Sequence, residues 1–195
     1  MPLAGRPMVE WSIAACHAAG SVCSTVLACP PGHAYDVGGD DIKVVDGGAT
    51  RAQSVSNALA VVGTELVAIH DAARPLLTPE LIDDVVATLV ADPDAAGAIA
   101  ATSVTDTIKQ TTSMVIESTL DRERLWAAQT PQVFRVEALR AALAGDPEGI
   151  AAATDEAMLV EAAGGRVLIH PSSPENFKVT TPLDLRLAES LLVAR

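Results

Sequence analysis

The segment His70-Asp71-Ala72-Ala73-Arg74-Pro75 places a carboxylate directly after a short apolar run, Leu66–His70. Such a run is typical of a strand covered on both faces, and open α/β sheets bind ligands at the carboxyl ends of their strands. Asp71 could therefore hold Mg²⁺ beside a phosphate, because Mg²⁺ prefers oxygen ligands and keeps several waters. The small Ala72 would let a ligand approach the backbone. The alternative is an aspartate that caps a turn and pairs with Arg74.

A second candidate site lies in Asp46-Gly47-Gly48, which is followed by Arg51 and Ser54. Paired glycines permit positive φ and a close approach of the backbone to a ligand. The helix that starts here would present its N-terminus, which favours anions and polar ligand edges. The pattern also fits an ordinary glycine turn with a serine near the helix cap.

Three basic side chains could approach such a site. Lys178 lies in an apolar segment before a helix, and a partly buried lysine needs an anionic partner, which a structural carboxylate could equally supply. Lys109 and Arg122 lie in a polar stretch and could add charge to a phosphate site, although each alone fits a solvated surface residue. Thr154 is most simply a helix N-cap, and a cap can also face a ligand.

The composition excludes several classes of function. The 195 residues carry 13 Lys and Arg against 25 Asp and Glu, a net charge of −12, and only 3% are aromatic. General nucleic-acid and anionic-membrane binders have the opposite charge balance. No apolar run reaches the roughly 18 residues of a membrane span, and no signal-peptide pattern is present. We therefore expect a cytoplasmic protein that binds neither nucleic acid nor membrane.

The motifs of several other chemistries are missing from the sequence. The four histidines show no H-x-x-x-H pairing for zinc, and there is no G-x-S-x-G elbow. Cys16, Cys23 and Cys29 are odd in number and irregularly spaced, which favours free thiols in a reducing compartment. Neither G-x-x-x-x-G-K-[ST] nor G-x-G-x-x-G occurs. The sequence therefore gives little support to nucleophilic catalysis by the protein.

Strand and helix patterns alternate along the chain. Short β-branched runs predict strands, and helical spacing with capping residues predicts helices. The predicted strands are 22–29, 42–45, 66–70, 95–101 and 166–170, and the predicted helices are 8–19, 54–62, 79–90, 136–143, 154–163 and 182–193. This alternation predicts an α/β fold with a Rossmann-like, mostly parallel sheet and helices on both faces. Residues 102–125 are polar and Thr-rich, and we interpret them as a protruding β-arm of a single domain, 1–195.

Taken together, the ordered motifs resemble one family, the 2-C-methyl-D-erythritol 4-phosphate cytidylyltransferases of non-mevalonate isoprenoid biosynthesis. The resemblance covers nearly the whole chain, and the shared order of the motifs is far more specific than any one of them. The matching segments are 2–8, 44–48, 51–55, 70–75, 106–109, 121–122, 125–126, 130–132, 154–157 and 176–180.

The resemblance implies cytidylyl transfer from CTP to 2-C-methyl-D-erythritol 4-phosphate, with pyrophosphate as the leaving group. It implies catalytic roles for Asp71, Arg122 and Lys178, with Asp71 holding the Mg²⁺ cofactor on the triphosphate. The implied nucleotide-binding residues are Gly48, Arg51, Ser54 and Ala72, and the implied substrate-binding residues are Arg74, Thr107, Arg122, Thr130, Thr154 and Lys178. It also implies a homodimer formed through the β-arm, in which Thr107 and Arg122 reach the substrate phosphate in the partner subunit.

The sequence departs from the family pattern at its start. Family members begin with a strand, a Gly-rich loop bearing an arginine, and Pro-Lys before the turn found here at residues 2–7. We therefore expect a truncated, impaired form of an active enzyme, with unpaired edges on the strands that would flank the first one. Two alternatives stay open: a cytidylyltransferase for another polyol phosphate, such as ribitol 5-phosphate, and an inactive dimeric binding protein.

Overall fold

The computed structural model describes residues 2–32 and 42–193. The helices are α1 (Met8–Ala18), α2 (Arg51–Leu59), α3 (Pro79–Val90), α4 (Val136–Leu143), α5 (Pro147–Ala152), α6 (Glu156–Ala162) and α7 (Pro182–Val193). The strands are β1 (Pro2–Leu3), β2 (Arg6–Pro7), β3 (Thr25–Cys29), β4 (Ile42–Asp46), β5 (Leu66–Ile69), β6 (Gly97–Ser103), β7 (Lys109–Thr112), β8 (Val115–Thr119), β9 (Trp126–Arg135) and β10 (Val167–Pro171). Within these ranges, every helix is too short or too polar to span a bilayer.

The main sheet has four strands in the order β10, β6, β9 and β5. Strand β10 pairs with β6 in parallel, whereas β9 runs antiparallel to both β6 and β5. Strands β5, β6 and β10 therefore share one direction, and β9 is reversed. Strands β3 and β4 form a separate parallel pair. The prediction of a mostly parallel α/β sheet is confirmed.

Helices cover both faces of this sheet, as predicted, because neighbouring strand residues point to opposite sides. Ile99 and Phe134 pack with the apolar residues of α2, α4 and α6 on one face. Ala98 and Val133 pack with Val85 and other apolar residues of α3 on the other. The core is therefore two apolar layers separated by the sheet.

A cavity of about 560 Å³ separates β3 from β5. Its wall includes Val26 and Leu27 of β3 and Val67 and Ile69 of β5. Among the described strands, β3 pairs only with β4 and β5 pairs only with β9, so each has an unpaired edge.

The segment interpreted as a β-arm contains an antiparallel hairpin of β7 and β8. Ser113 and Met114 form its turn with positive φ angles of 49° and 67°. The hairpin carries apolar side chains in solvent, and Met114 is 94% exposed. The arm starts later than predicted, because residues 102 and 103 still belong to β6.

The structure corrects other parts of the sequence prediction. The sequence prediction contains neither strand β9 nor helix α5. The prediction that Thr154 is the N-cap of α6 is wrong. The cap is Asp155, whose Oδ1 accepts a hydrogen bond from the Met158 N–H at 2.9 Å. Helix α2 begins three residues earlier than predicted, because Thr50 accepts from the Gln53 N–H and caps it.

Candidate active site

Asp71 lies two residues after Ile69, the last residue of β5, and receives hydrogen bonds from two cations. Its Oδ1 accepts from the Arg51 Nε at 3.2 Å, with the Arg51 Nη2 also 3.2 Å away. Its Oδ2 accepts from the Lys178 Nζ at 3.0 Å. The structure thus brings together three of the predicted site residues from distant parts of the chain.

Arg51 also contacts a carboxylate that is absent from the residues predicted from the sequence. Its Nη1 lies 2.5 Å from both carboxylate oxygens of Glu156, in the first turn of α6. The Glu156 side chain is 1% exposed. The sequence signal that points to Glu156 is the family-matching segment 154–157, from which only Thr154 was assigned a role. Glu156, Arg51, Asp71 and Lys178 form a continuous chain of ion pairs, called the ion-pair cluster below.

The ion-pair cluster favours the charged forms of Asp71 and Arg51. Burial alone would raise the pKa of Asp71, but the hydrogen bond from Lys178 and the positive charge of Arg51 bring this pKa below its usual value. Burial would lower the pKa of Arg51, and the hydrogen bond and charge of Glu156 raise it above the usual value. Two carboxylates and two cations therefore cancel one another locally, in a protein whose overall charge is −12.

The glycine loop after β4 lies at the start of α2, as predicted. The Gly48 N–H donates to the Ser54 Oγ at 3.0 Å, and this hydroxyl donates to the Thr50 carbonyl at 3.0 Å. Ser54 therefore ties the loop to the first turn of the helix that carries Arg51. The structure places Gly48, Arg51 and Ser54 in one compact turn.

The Thr130 hydroxyl is hydrogen-bonded to the Asp71 backbone and to the His70 ring. The Thr130 Oγ1 accepts from the Asp71 N–H at 3.1 Å and lies 2.9 Å from the His70 Nδ1. The His70 Nε2 lies 3.1 Å from the Arg74 carbonyl, so Nε2 carries the proton and Nδ1 accepts from Thr130. Burial lowers the pKa of His70 to about 4, so the ring is neutral at pH 7. Both ring nitrogens of His70 therefore have hydrogen-bond partners.

The segment that carries Lys178 is joined to the Asp71 loop by backbone contacts. The Val179 N–H donates to the Ala73 carbonyl at 2.8 Å, and the Arg74 Nη1 donates to the Asn176 carbonyl at 2.8 Å. The Arg74 side chain thus binds a backbone carbonyl. Asp71 forms its ion pairs with Arg51 and Lys178 rather than with Arg74. The exposed Ala72 lies in this same loop.

The remaining predicted residues lie outside the ion-pair cluster. Thr154 is exposed, two residues before Glu156. Thr107 and Arg122 are exposed in the polar segment around the hairpin, where the Arg122 Nη1 donates to the Thr105 carbonyl at 2.7 Å. The monomer therefore assembles the site around Asp71 without a contribution from these three residues.

Asp71 is the carboxylate of the ion-pair cluster that would contribute to a magnesium site, because its side chain is 18% exposed and that of Glu156 is 1% exposed. Across residues 2–32 and 42–193, no group of three or more His, Cys, Asp or Glu side chains could hold a metal. Mg²⁺ in phosphate-transfer sites is commonly held by one or two carboxylates together with substrate phosphates. Asp71 can supply that carboxylate if a metal replaces the hydrogen bond from Lys178, whose side chain is 46% exposed.

Known proteins with similar sequences or structures are described as 2-C-methyl-D-erythritol 4-phosphate cytidylyltransferases or as bifunctional IspD/IspF enzymes. The chain is 41% identical over 198 residues to the 2-C-methyl-D-erythritol 4-phosphate cytidylyltransferase of Bordetella petrii, covering 97% of this chain and 87% of that protein. It is 40% identical to the bifunctional enzyme IspD/IspF of Anaeromyxobacter dehalogenans, where 98% of this chain matches 52% of the relative. The crystal structure of the 2-C-methyl-D-erythritol 4-phosphate cytidylyltransferase from Thermus thermophilus superposes with a TM-score of 0.86, at 32% identity over 98% of this chain and 92% of that one.

A family model covers nearly the full sequence. It is described as IspD: 2-C-methyl-D-erythritol 4-phosphate cytidylyltransferase, and it matches residues 1–194. This match includes every segment that carries the ion-pair cluster. The chain belongs to the 2-C-methyl-D-erythritol 4-phosphate cytidylyltransferase family.

Proposed function

We propose that this protein is a nucleotidyltransferase that moves a cytidylyl group from CTP to 2-C-methyl-D-erythritol 4-phosphate, in isoprenoid biosynthesis. The products are 4-diphosphocytidyl-2-C-methyl-D-erythritol and pyrophosphate. The observation that carries the proposal is the ion-pair cluster of Arg51, Asp71 and Lys178 at the carboxyl end of β5. In a member of this family, that is where a triphosphate and a sugar phosphate would be brought together.

The reaction needs no nucleophile from the protein. A phosphate oxygen of the substrate attacks the α-phosphorus of CTP, a new P–O bond forms, and the bond to the bridging oxygen of the β-phosphate breaks. Pyrophosphate leaves with that electron pair. Catalysis then depends on positioning and on stabilising negative charge.

The protein's own residues supply these two effects. Lys178 has a half-exposed side chain that can turn from Asp71 to a phosphate oxygen, and Arg51 stays beside the carboxylate. The loop at Gly48 offers backbone close to the nucleotide. Asp71 is the residue that would hold Mg²⁺, which when bound neutralises part of the triphosphate charge.

Arg74 gives the site one more cation than carboxylate, since the charges of the ion-pair cluster cancel, and this local excess would favour binding of polyanions. Arg51, Arg74 and Lys178 lie around one loop. Electrostatic interactions between exposed groups fade over a distance of roughly 8 Å at physiological ionic strength, so distant surface carboxylates count for little at this site.

We further propose a homodimer formed through the β7–β8 hairpin, with Thr107 and Arg122 reaching the partner's substrate phosphate. The exposed apolar residues of the hairpin support this, because large exposed apolar patches commonly mark interfaces. We also propose a cytoplasmic location, which the three unpaired thiols Cys16, Cys23 and Cys29 support.

The test is a pyrophosphate-release assay with CTP and either 2-C-methyl-D-erythritol 4-phosphate or ribitol 5-phosphate. We expect release with the first substrate that requires Mg²⁺ and stops with EDTA. Faster release with ribitol 5-phosphate would assign a different polyol. Folded protein that neither releases pyrophosphate nor binds CTP in calorimetry would be the inactive binding protein and would refute the proposal.

A further inference from the structure

We infer that Glu156 is a positioning residue, which fixes the orientation of the Arg51 guanidinium and thereby holds Asp71 in place for the nucleotide. This rests on the proposed function, in which Arg51 and Asp71 belong to the nucleotide site. Glu156 itself reaches the reaction only through Arg51.

The guanidinium is held on two different edges. Its Nη1 lies 2.5 Å from both oxygens of Glu156, whereas its Nε and Nη2 face the Asp71 Oδ1 at 3.2 Å. A planar guanidinium with five donors in a rigid fork has one orientation that satisfies both carboxylates. Removing Glu156 would leave Arg51 free to rotate about its remaining contact with Asp71.

Glu156 is more buried than Asp71 or Lys178, so its contact with Arg51 is the one that burial fixes most firmly. The side chain of Glu156 is 1% exposed, that of Asp71 is 18% exposed, and that of Lys178 is 46% exposed. A buried carboxylate that loses its cation is left uncompensated, which is strongly unfavourable. Arg51 therefore stays on Glu156 when Lys178 or Asp71 exchanges partners with a ligand.

The helix start that carries Glu156 is itself anchored to the main sheet. The Asp155 Oδ2 accepts from the Gln132 Nε2 of β9 at 2.9 Å, and the Asp155 Oδ1 caps α6 through the Met158 N–H. Ala157, which follows Glu156, belongs to the core cluster that α2, α4 and α6 form on one face of the sheet. Glu156 is thus held at a defined distance from β5 and from Asp71.

This arrangement decides which oxygen of Asp71 is open. Arg51 occupies Oδ1, so Oδ2 is the oxygen that faces the exposed Lys178 and any incoming ligand. An Arg51 released from Glu156 could pair with both oxygens of Asp71 and close the site. Loss of Glu156 should therefore weaken nucleotide binding more than binding of the second substrate.

The first experiment uses Glu156→Gln in the full chain and measures CTP affinity by calorimetry with Mg²⁺, together with the KM of each substrate. We expect the Kd and KM for CTP to rise about tenfold or more, the range for a lost charged hydrogen bond, while the KM for 2-C-methyl-D-erythritol 4-phosphate changes less than twofold. In an Arg51→Ala background, Glu156→Gln should add no further loss, because its effect passes through Arg51. The control is Asp92→Asn, which removes the exposed ion pair with Arg166 and should change neither KM.

The second experiment does not depend on turnover. The ¹⁵N-detected Nη–H signals of Arg51 should be distinct and slowly exchanging in the wild type, because Nη1 pairs with the buried Glu156, and they should lose this protection in Glu156→Gln. The corresponding Arg166 signal serves as the internal reference. An unchanged Arg51 signal would overturn the inference, as would a changed signal with unchanged CTP affinity or a uniform loss of activity that follows the folded fraction. Wild-type protein that binds no CTP would instead refute the proposed function, while the Arg51 signal still decides whether Glu156 orients it.

Discussion

Asp71 and Lys178 are 107 residues apart in the chain, yet the Lys178 Nζ lies 3.0 Å from the Asp71 Oδ2. The two segments are joined by the hydrogen bond from the Val179 N–H to the Ala73 carbonyl. Because this second contact is between backbone groups, it brings the two segments together independently of the ion pair. A carboxylate and a mobile ammonium group at one strand end are what a shared site for a metal and a phosphate requires.

Lys178→Met should remove most of the activity while leaving the fold intact. Lys178 is half exposed and its ion pair with Asp71 is near the surface, so the free energy of unfolding should change by less than about 1 kcal/mol. The loss of a cation from the transition state should lower kcat by about 10²–10³. Pyrophosphate release and thermal unfolding measure the two effects. Lys43→Met, at an exposed position of β4, is the control, and a Lys178→Met enzyme with more than half of the wild-type rate would contradict the assigned role.

Local sequence signals were sufficient for helix α3. Helix α3 has the predicted bounds, because Thr78 caps it through the Leu81 N–H and Pro79 occupies its first turn. The predicted positions of Asp71 and Arg51 at strand and helix ends follow from similarly local patterns. Such residues could be identified before the tertiary structure was known.

Local patterns did not identify strand β9 or the role of Glu156, because both depend on partners far away in the chain. Strand β9 buries Gln129 and Gln132, which look like loop residues in a local pattern. Their hydrogen bonds go to Asn176 and Asp155, 47 and 23 residues away. Glu156 is likewise paired with an arginine 105 residues away. Burial of such polar groups is favourable only once the fold has brought the partners together.

His70 should make the protein less stable as the pH falls below about 6.5. Burial lowers its pKa from 6.5 to about 4, although its bond to the Arg74 carbonyl and the charge of Asp71 oppose this. Between these two values the unfolded chain binds a proton that the native state does not, so the free energy of unfolding falls by about 1.4 kcal/mol for each pH unit lost. The measurement is urea unfolding from pH 7.5 to 4 in buffer with EDTA. His70→Asn should flatten this slope, whereas the exposed His17→Asn should leave it as in the wild type; equal slopes in all three proteins would contradict the burial of a neutral ring.

Gly48→Ala should distort the loop that precedes Arg51. A Cβ at position 48 would overlap the Cβ and Cγ of Gln53, and a Cβ attached to the helix backbone cannot turn away. We expect a loss of about 1–3 kcal/mol in stability, typical of overpacking, and at least tenfold weaker CTP binding. Gly63→Ala is the matched control, since a Cβ there meets nothing within 4 Å. Denaturant unfolding and calorimetry would decide, and CTP affinity equal to wild type in Gly48→Ala would argue against a nucleotide role for this loop.

The hairpin should control the oligomeric state. Replacing Met114, Val115 and Ile116 by Gln, Thr and Thr removes its exposed apolar surface while keeping residues that suit strands at positions 115 and 116. Light scattering should give twice the 20.1 kDa chain mass for the wild type and the single mass for the triple variant. Val90→Thr, at an exposed apolar position on α3, should remain dimeric. A monomeric wild type, or a triple variant that is still dimeric, would rule out the hairpin as the interface.

Mixing two inactive variants tests whether Arg122 acts on the partner's site. Arg122 lies beside the hairpin, outside the ion-pair cluster of its own chain, whereas Lys178 belongs to that cluster. If each site combines Lys178 of one subunit with Arg122 of the other, a dimer of Arg122→Met and Lys178→Met subunits has one intact site and one that lacks both cations. Random exchange makes half of the dimers mixed, so about a quarter of the wild-type activity should return on mixing. Two Lys178→Met preparations mixed in the same way should stay inactive, and no recovery in the Arg122–Lys178 mixture, despite subunit exchange seen by mass spectrometry, would place Arg122 outside the partner's site.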